Sequence, residues 1–258
     1  MKQGIRIVLL ELKRMLCSPA LWLTVLAEAV WMFLSTLMVT LNGSIDSVVY
    51  GAFFAIDMNS SYMILLCILP VFPYALTYVK EWNERATSFR IIRTGVCSYM
   101  VAKLIATAVA GFLAVFLGIL LYVSIQRIFL PWGALNQNLG IPYGEGVQSV
   151  WIYFLLVASH KGASGMLVAI CALWISGYIS NVYAAVIGPS VLYWLCLRFE
   201  TLVSLPALLN PTYWLQAYGG GLYHWSVNYG MHWLVTLVLC VLMGMNAVGR
   251  LRKKVEHD

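Results

Sequence analysis

Apolar runs separated by short polar segments dominate the chain. Four runs, at positions 20–41, 62–79, 104–125 and about 231–248, each approach the roughly 20 residues that one transmembrane helix requires. The stretch from 162 to 197 carries no charged residue and is about twice as long as one span needs. The turn-forming sequence SGYISN at 176–181 divides it into a predicted hairpin, 162–178 and 181–197. The pattern therefore predicts six transmembrane helices.

The segment before the first span has a helical rather than a continuous apolar pattern. Leucine, isoleucine, valine and methionine recur on one side of a helix over 1–19, and lysine and arginine occupy the other side. We expect an amphipathic helix on the cytoplasmic surface of the bilayer that Pro19 ends. The alternative is a basic flank that simply leads into the first span.

Composition agrees with an all-α membrane protein that forms one domain, 1–258. Hydrophobic residues make up 62% of the chain and charged residues 10%, whereas soluble domains carry about a quarter charged residues. The apolar segment 151–159 is too short to cross a bilayer and is expected to be an interfacial helix on the outer face. Segment 200–230, rich in aromatic residues, proline and glycine, predicts a re-entrant or interfacial outer segment before the sixth span.

The placement of basic residues sets the predicted orientation. Thirteen of the 16 lysines and arginines precede span one, lie between spans two and three, or follow span six. Only an even number of spans puts these three groups on one face, so both termini are expected to be cytoplasmic. Lys161 and Arg198 then belong to the outer face. The net charge of +6 is thereby explained by topology rather than by nucleic-acid binding. We expect a multi-pass protein of the cell membrane, in a bacterial plasma membrane.

Common catalytic and metal-binding motifs are absent from the sequence. It has no G-x-x-x-x-G-K-[ST] phosphate loop and no H-E-x-x-H zinc motif. A nucleophile and base formed by Ser164 and His160 would be an alternative, but small residues in spans more commonly allow helices to pack closely. The six cysteines lie in apolar runs or beside basic segments, which argues against disulfides. Met1 begins a charged segment, so no cleavable signal peptide is expected.

Glu28 is an ionisable residue deep inside the first predicted span. A carboxyl group at that depth is costly unless it is paired, protonated or in contact with water. It is therefore a candidate for lining a translocation path. The alternative is a packed, satisfied or protonated carboxyl group near a subunit contact.

The whole chain resembles the permease subunit of an ATP-binding-cassette exporter, in the second large exporter class. The resemblance lies in four segments: ELKRMLCSPALW at 11–22, VKEWNERATSFRIIRTGVCSYMVAK at 79–103, ISNVYAAVIGPSVLYW ending at Trp194, and LLNPTYW at 208–214. Glu81, Thr87 and Lys103 match the acidic residue, the helix threonine and the lysine of that family's loop. Ala86 replaces the usual glycine, and Thr94 with Gly95 replaces the usual proline of the turn.

This resemblance implies a cytoplasmic coupling helix between spans two and three that docks on a separate ATPase subunit. The residues in it that offer charges and apolar anchors for such a contact are Glu81, Glu84, Arg85, Thr87, Phe89, Arg90 and Arg93. An ordinary solvated loop, basic only because of topology, is the alternative. The permease chain itself would bind no cofactor, since ATP and Mg belong to the ATPase partner.

The function expected from the resemblance is that of a non-enzymatic transport subunit. Two permease chains, identical or related, would enclose the substrate pathway in the membrane lipid, and the substrate would be an antimicrobial peptide, a drug or a lipid-like amphiphile. One alternative is a secondary transporter driven by an ion gradient, which would need broken helices and polar residues near the midplane; the chain offers Pro70 with Pro73 and Glu28 for these, but no evident internal repeat. The other is a membrane-bound enzyme or non-transport assembly factor.

Overall fold

The computed structural model describes residues 2–58, 60–133, 147, 149–202 and 225–257, and within that part of the chain every regular element is a helix. Four helices are long and apolar enough to cross a membrane, and a bent pair of shorter helices gives a fifth if its halves count as one span. The helices are α1 (Lys2–Leu16), α2 (Pro19–Leu41), α3 (Val48–Phe53), α4 (Ser60–Leu66), α5 (Leu76–Asn83), α6 (Ala86–Thr94), α7 (Val96–Phe129), α8 (Val150–Tyr178), α9 (Val182–Leu202) and α10 (Trp225–His257).

The boundary between α1 and α2 depends on Ser18 and Pro19. The Ser18 hydroxyl accepts a hydrogen bond from the Ala20 amide, and Pro19 occupies the first turn of α2, where its missing N–H costs nothing. Pro19 therefore begins the next helix as well as preventing α1 from continuing. Several apolar residues of α1, such as Ile5 and Leu9, remain exposed, as the amphipathic pattern predicts for a helix at a membrane surface.

The predicted second span, 62–79, is not a straight helix. A 3₁₀ turn at Leu69–Val71 separates α4 from α5, and the axes of the two halves differ by 41°. Pro70 and Pro73 explain the break, because proline donates no backbone hydrogen bond and its ring collides with the preceding turn of a helix. The segment is therefore either one broken span or a re-entrant element.

The structure corrects the prediction for 151–159. This segment is not a separate interfacial helix: α8 runs without a break for 29 residues from Val150 to Tyr178. Lys161, predicted on the outer face, lies within this helix with its side chain fully buried. No proline interrupts the segment, and Gly162 packs directly on Phe112 of α7, so burial against α7 keeps the helix continuous. The chain leaves α8 at 179–181, inside the predicted turn, and Arg198 on α9 is exposed.

The long helix α7 lies at the centre of the fold, with α8 and α2 packed on it. A Cβ atom placed on Gly111 would lie 2.6 Å from the carbonyl oxygen of Gly165, so the backbones of α7 and α8 touch there. On α7, Gly118 is in similarly close contact with Glu28 of α2. Glycines at these two levels therefore let three membrane helices approach more closely than side chains would allow. The predicted re-entrant segment falls largely on 203–224, outside the described residues.

Candidate functional site

A buried ion pair joins α5 to α7. The ammonium nitrogen of Lys103 lies 2.9 Å from Oε1 of Glu81, and the exposed fractions of the two side chains are 0% and 6%. Removing these charges from water is costly, and only close opposite charges and hydrogen bonds offset that cost. The pair therefore fixes the start of α7 against α5.

Two further helices contribute charges to the same carboxyl group. Nη1 of Arg90 on α6 lies 2.9 Å from Glu81 Oε1, and Nη1 of Arg14 on α1 lies 2.8 Å from that oxygen. Glu11 on α1 completes the set, 3.3 Å from both Lys103 and Arg90. We call these five residues the charge network. It connects α1, α5, α6 and α7 through three cations and two carboxylates.

Neutral side chains provide the remaining hydrogen-bond donors and acceptors that the charge network needs. The Tyr99 hydroxyl donates to Glu81 Oε2 at 2.7 Å, and the Tyr74 hydroxyl donates to Glu11. Lys103 donates to Thr77 Oγ1 at 3.2 Å and lies 4.7 Å above the Tyr74 ring. An ammonium group has three hydrogen-bond donors and no acceptor. A buried one therefore needs oxygen atoms around it as acceptors.

Two unusual backbone conformations hold α6 in place. Arg85, between α5 and α6, has a φ of 57°, and Gly95, between α6 and α7, has a φ of 79°. Positive φ angles reverse the chain sharply, and glycine adopts them without the steric cost that other residues incur. The short helix α6 is thus held between two tight corners, which turn Arg90 toward Glu81.

The predicted coupling residues divide into an inner and an outer group. Glu81, Thr87 and Arg90 lie on the inner side: Glu81 and Arg90 belong to the charge network, and Thr87 is buried beside the Tyr99 hydroxyl. Glu84 and Arg85 are exposed at the corner before α6, and Phe89 is 73% exposed on α6 itself. The side chain of Arg93 lies outside the described residues.

Sequence reasoning missed four members of this site. Arg14 was expected on the polar side of a membrane-surface helix, and Glu11, Tyr74 and Tyr99 were not singled out. Lys103 was the available signal, because a lysine at the start of a long apolar run needs counter-ions from elsewhere in the chain. Its partners lie up to 92 positions away, as the Glu11–Lys103 pair shows, so spacing alone could not identify them.

Glu28 lies outside the charge network. It is fully buried between α2 and α7, and among the described residues neither of its carboxyl oxygens has a hydrogen-bond partner. In this conformation its side chain faces another helix of the same chain rather than an open surface.

Two histidines that are distant in sequence are in contact. His160 on α8 and His232 on α10 stack with their ring centroids 3.6 Å apart. Oγ of Ser164 lies 3.5 Å from the carbonyl oxygen of His160, so its hydroxyl donates to the backbone of its own helix. Within the described ranges no three histidine, cysteine, aspartate or glutamate side chains cluster as metal ligands would.

The charge network links four helices through close contacts between opposite charges. Its five members lie on four helices, so a displacement of α6 must move Glu81 and Lys103 or break their contacts. Removing one partner of a buried pair leaves an uncompensated charge, which costs several kcal/mol.

Comparison with protein-family models, with curated proteins and with solved structures found no match.

Proposed function

We propose that the chain is the transmembrane subunit of an ATP-driven exporter. It pairs with a second permease chain in the cell membrane, and the two chains enclose the substrate pathway. A separate ATPase subunit binds ATP and Mg, and this chain has no ATPase activity of its own. The substrate class that fits an apolar membrane domain is an amphiphile: an antimicrobial peptide, a drug or a lipid-like molecule.

The two-sided character of α6 is the observation that carries the proposal. Arg90 and Ile91 face inward, to the charge network and to an apolar core that includes Val79. Phe89 and Ile92 face outward and are 73% and 81% exposed. A short helix rigidly fixed on one side, with large apolar side chains and rim charges on the other, has the composition of a protein-docking surface.

The charge network supports the mechanical part of the proposal. A force on α6 reaches α7 through Arg90, Glu81 and Lys103. The helix α7 in turn packs on α2 and α8 at Gly118 and Gly111. Closure of an ATPase dimer below α6 would then move the helices around the pathway, as coupled conformational switching requires.

The proposed topology has six spans with both termini in the cytoplasm. The spans are α2, the bent α4–α5 pair, α7, α8, α9 and α10. Three basic residues lie outside the three cytoplasmic groups. Lys161 is buried within α8, and Arg127 and Arg198 lie near the ends of α7 and α9. Thirteen of 16 basic residues on one face agree with the positive-inside rule.

Copurification tests the docking surface. The full-length chain, affinity-tagged and extracted in mild detergent, should retain an ATP-binding-cassette ATPase that mass spectrometry identifies. The double variant Phe89→Ala, Ile92→Ala should lose most of that ATPase, because truncating central apolar anchors costs roughly 2 kcal/mol or more for each strong contact.

The matched control is Ile128→Ala, Phe129→Ala, at the opposite end of α7. These two side chains are of the same types and are 78% and 65% exposed. Recovery of the ATPase with the control variant should equal that with the unaltered chain. Absence of any such ATPase from the unaltered chain, or equal loss in both variants, would remove the proposal.

A secondary transporter is the second candidate, and the bent α4–α5 pair favours it. Discontinuous membrane helices form ion and substrate sites in many such transporters, and the 41° break lies between α4 and α5. Transport by the purified chain alone in vesicles, driven by an ion gradient without ATP, would establish this function instead.

A further inference from the structure

Glu28 lies near the middle of a membrane helix. It is nine residues beyond Pro19, or about 13 Å along α2 at 1.5 Å per residue, and about 20 Å of helix follows it to Leu41. Its side chain is fully buried. The carboxyl group is therefore far from either end of the span, where water would solvate it.

The contact that buries Glu28 is unusually close. A Cβ atom at Gly118 of α7 would lie 2.7 Å from the Cβ atom of Glu28 and 3.3 Å from its Cγ. The absence of a side chain at 118 creates the space in which the glutamate lies. The crossing of α2 and α7 at this point thus holds the carboxyl group in place and separates it from solvent.

Among the described residues, no charged side chain pairs with Glu28. Within the part of the chain that the structure describes, neither carboxyl oxygen accepts or donates a hydrogen bond. On α7, Tyr122 directs its hydroxyl to Thr36, while Lys103 and Arg127 are about 22 and 13 Å from Gly118 along the helix. Cys97 and Tyr99 lie still farther from Gly118 along α7. Of the other elements in contact with α2, the segment Phe54–Met58 carries Asp57, whose side chain lies outside the described residues, and the turn Leu69–Val71 carries no titratable residue.

From this geometry we infer that Glu28 is a proton-binding site: it is a neutral carboxylic acid while α2 is closed on Gly118, and it loses its proton when the crossing opens. The proton comes from water and forms the O–H bond of the acid; it returns to water on opening. An isolated carboxylate in an apolar environment costs far more than the neutral acid, so closure and protonation stabilise each other. Raising the pH therefore favours separation of α2 from α7.

The inference is independent of the exporter proposal. It concerns one contact between two helices of this chain and requires neither an ATPase nor a transported substrate. Loss of ATPase binding in the Phe89→Ala, Ile92→Ala variant would leave it unaffected, and the reverse also holds.

Infrared spectroscopy of the full-length chain in lipid vesicles measures the protonation state directly. At neutral pH the unaltered chain should show the carbonyl stretch of a protonated carboxylic acid that disappears in Glu28→Gln. The same band should persist in Glu81→Gln, because Glu81, surrounded by three cations, is ionised. Absence of a difference between the unaltered chain and Glu28→Gln at neutral pH would overturn the inference.

Two further variants keep the test decisive. Glu28→Asp retains a carboxyl group and should shift the band rather than abolish it, which identifies the band even if Glu28→Gln does not fold. Gly118→Ala places a methyl group where Glu28 lies and should loosen the crossing, so the band should titrate away at a lower pH than in the unaltered chain. An unchanged titration midpoint in Gly118→Ala would show that the crossing does not control the proton.

Discussion

Glu81 and Glu28 are both buried carboxyl groups, but their surroundings are opposite in character. Three cations and the Tyr99 hydroxyl surround Glu81. Glu28 has Gly118 and no hydrogen-bond partner among the described residues. The first group can therefore stay charged and connect four helices, whereas the second can be stable only as the neutral acid. The difference shows that burial alone does not set the role of a carboxyl group; its neighbours do.

The largest expected effect is that of Lys103→Met. This change removes the only fully buried cation of the charge network and leaves Glu81 and Glu11 with poorer compensation. We expect a loss of roughly 3–5 kcal/mol of stability, the range for removing one partner of a buried ion pair. Thermal unfolding of the purified chain in detergent would measure it.

Lys80→Met is the matched control, since Lys80 lies on α5 but is exposed. It should leave the unfolding midpoint nearly unchanged. In the double variant Glu81→Gln, Lys103→Met the loss of stability should be smaller than the sum of the two single losses, because both single changes remove the same ion pair. Equal losses for Lys80→Met and Lys103→Met would mean that the charge network does not stabilise the fold.

The comparison between the two glutamates is tested most directly by the same substitution at both. Glu81→Gln should cost roughly 2–4 kcal/mol at neutral pH, because Lys103 and Arg90 lose a charged partner. Glu28→Gln should cost about 1 kcal/mol or less, because an amide resembles the neutral acid in size and shape. Both changes are measured by thermal unfolding under identical conditions, and a larger loss for Glu28→Gln would reverse the comparison.

The smallest expected effect within the charge network is that of Arg14→Gln. Half of the Arg14 side chain is exposed, so water already solvates much of its charge. We expect a loss of about 0.5 kcal/mol that decreases further in high salt. A loss as large as that of Lys103→Met, again in detergent unfolding, would show that the exposed end of α1 is as important to the charge network as its buried centre.

Much of the helical architecture could be predicted from local sequence. The long apolar runs of α2 and α7, and the end of α8 near Ser176, follow from hydropathy and turn residues. The prediction of 62–79 as a regular span missed the break between α4 and α5, although the secondary-transporter alternative had taken Pro70 with Pro73 as the sign of a broken helix. Lys161 was predicted on the outer face because a charged residue in a short polar interval is typical of a loop. Its burial within α8 depends on packing against α7, which the sequence does not show.

The candidate site was only partly predictable. Glu81, Thr87 and Arg90 were identified from one contiguous loop, and α6 does occupy that loop. Their partners Glu11 and Arg14 are distant in sequence and belong to a different helix, so no periodicity links them to Lys103. For the same reason, the stacked pair of His160 and His232 was unforeseen.

The sequence by itself determined that this is a helical membrane protein, because apolar runs of sufficient length are stable only as helices in a bilayer. It also placed one carboxyl group, that of Glu28, in the first of those helices, where a charged side chain is energetically unfavourable. The tertiary structure alone decided which buried charges are paired. Electrostatic energy depends on distances of a few ångströms between atoms, and helix packing, rather than position in the chain, sets those distances.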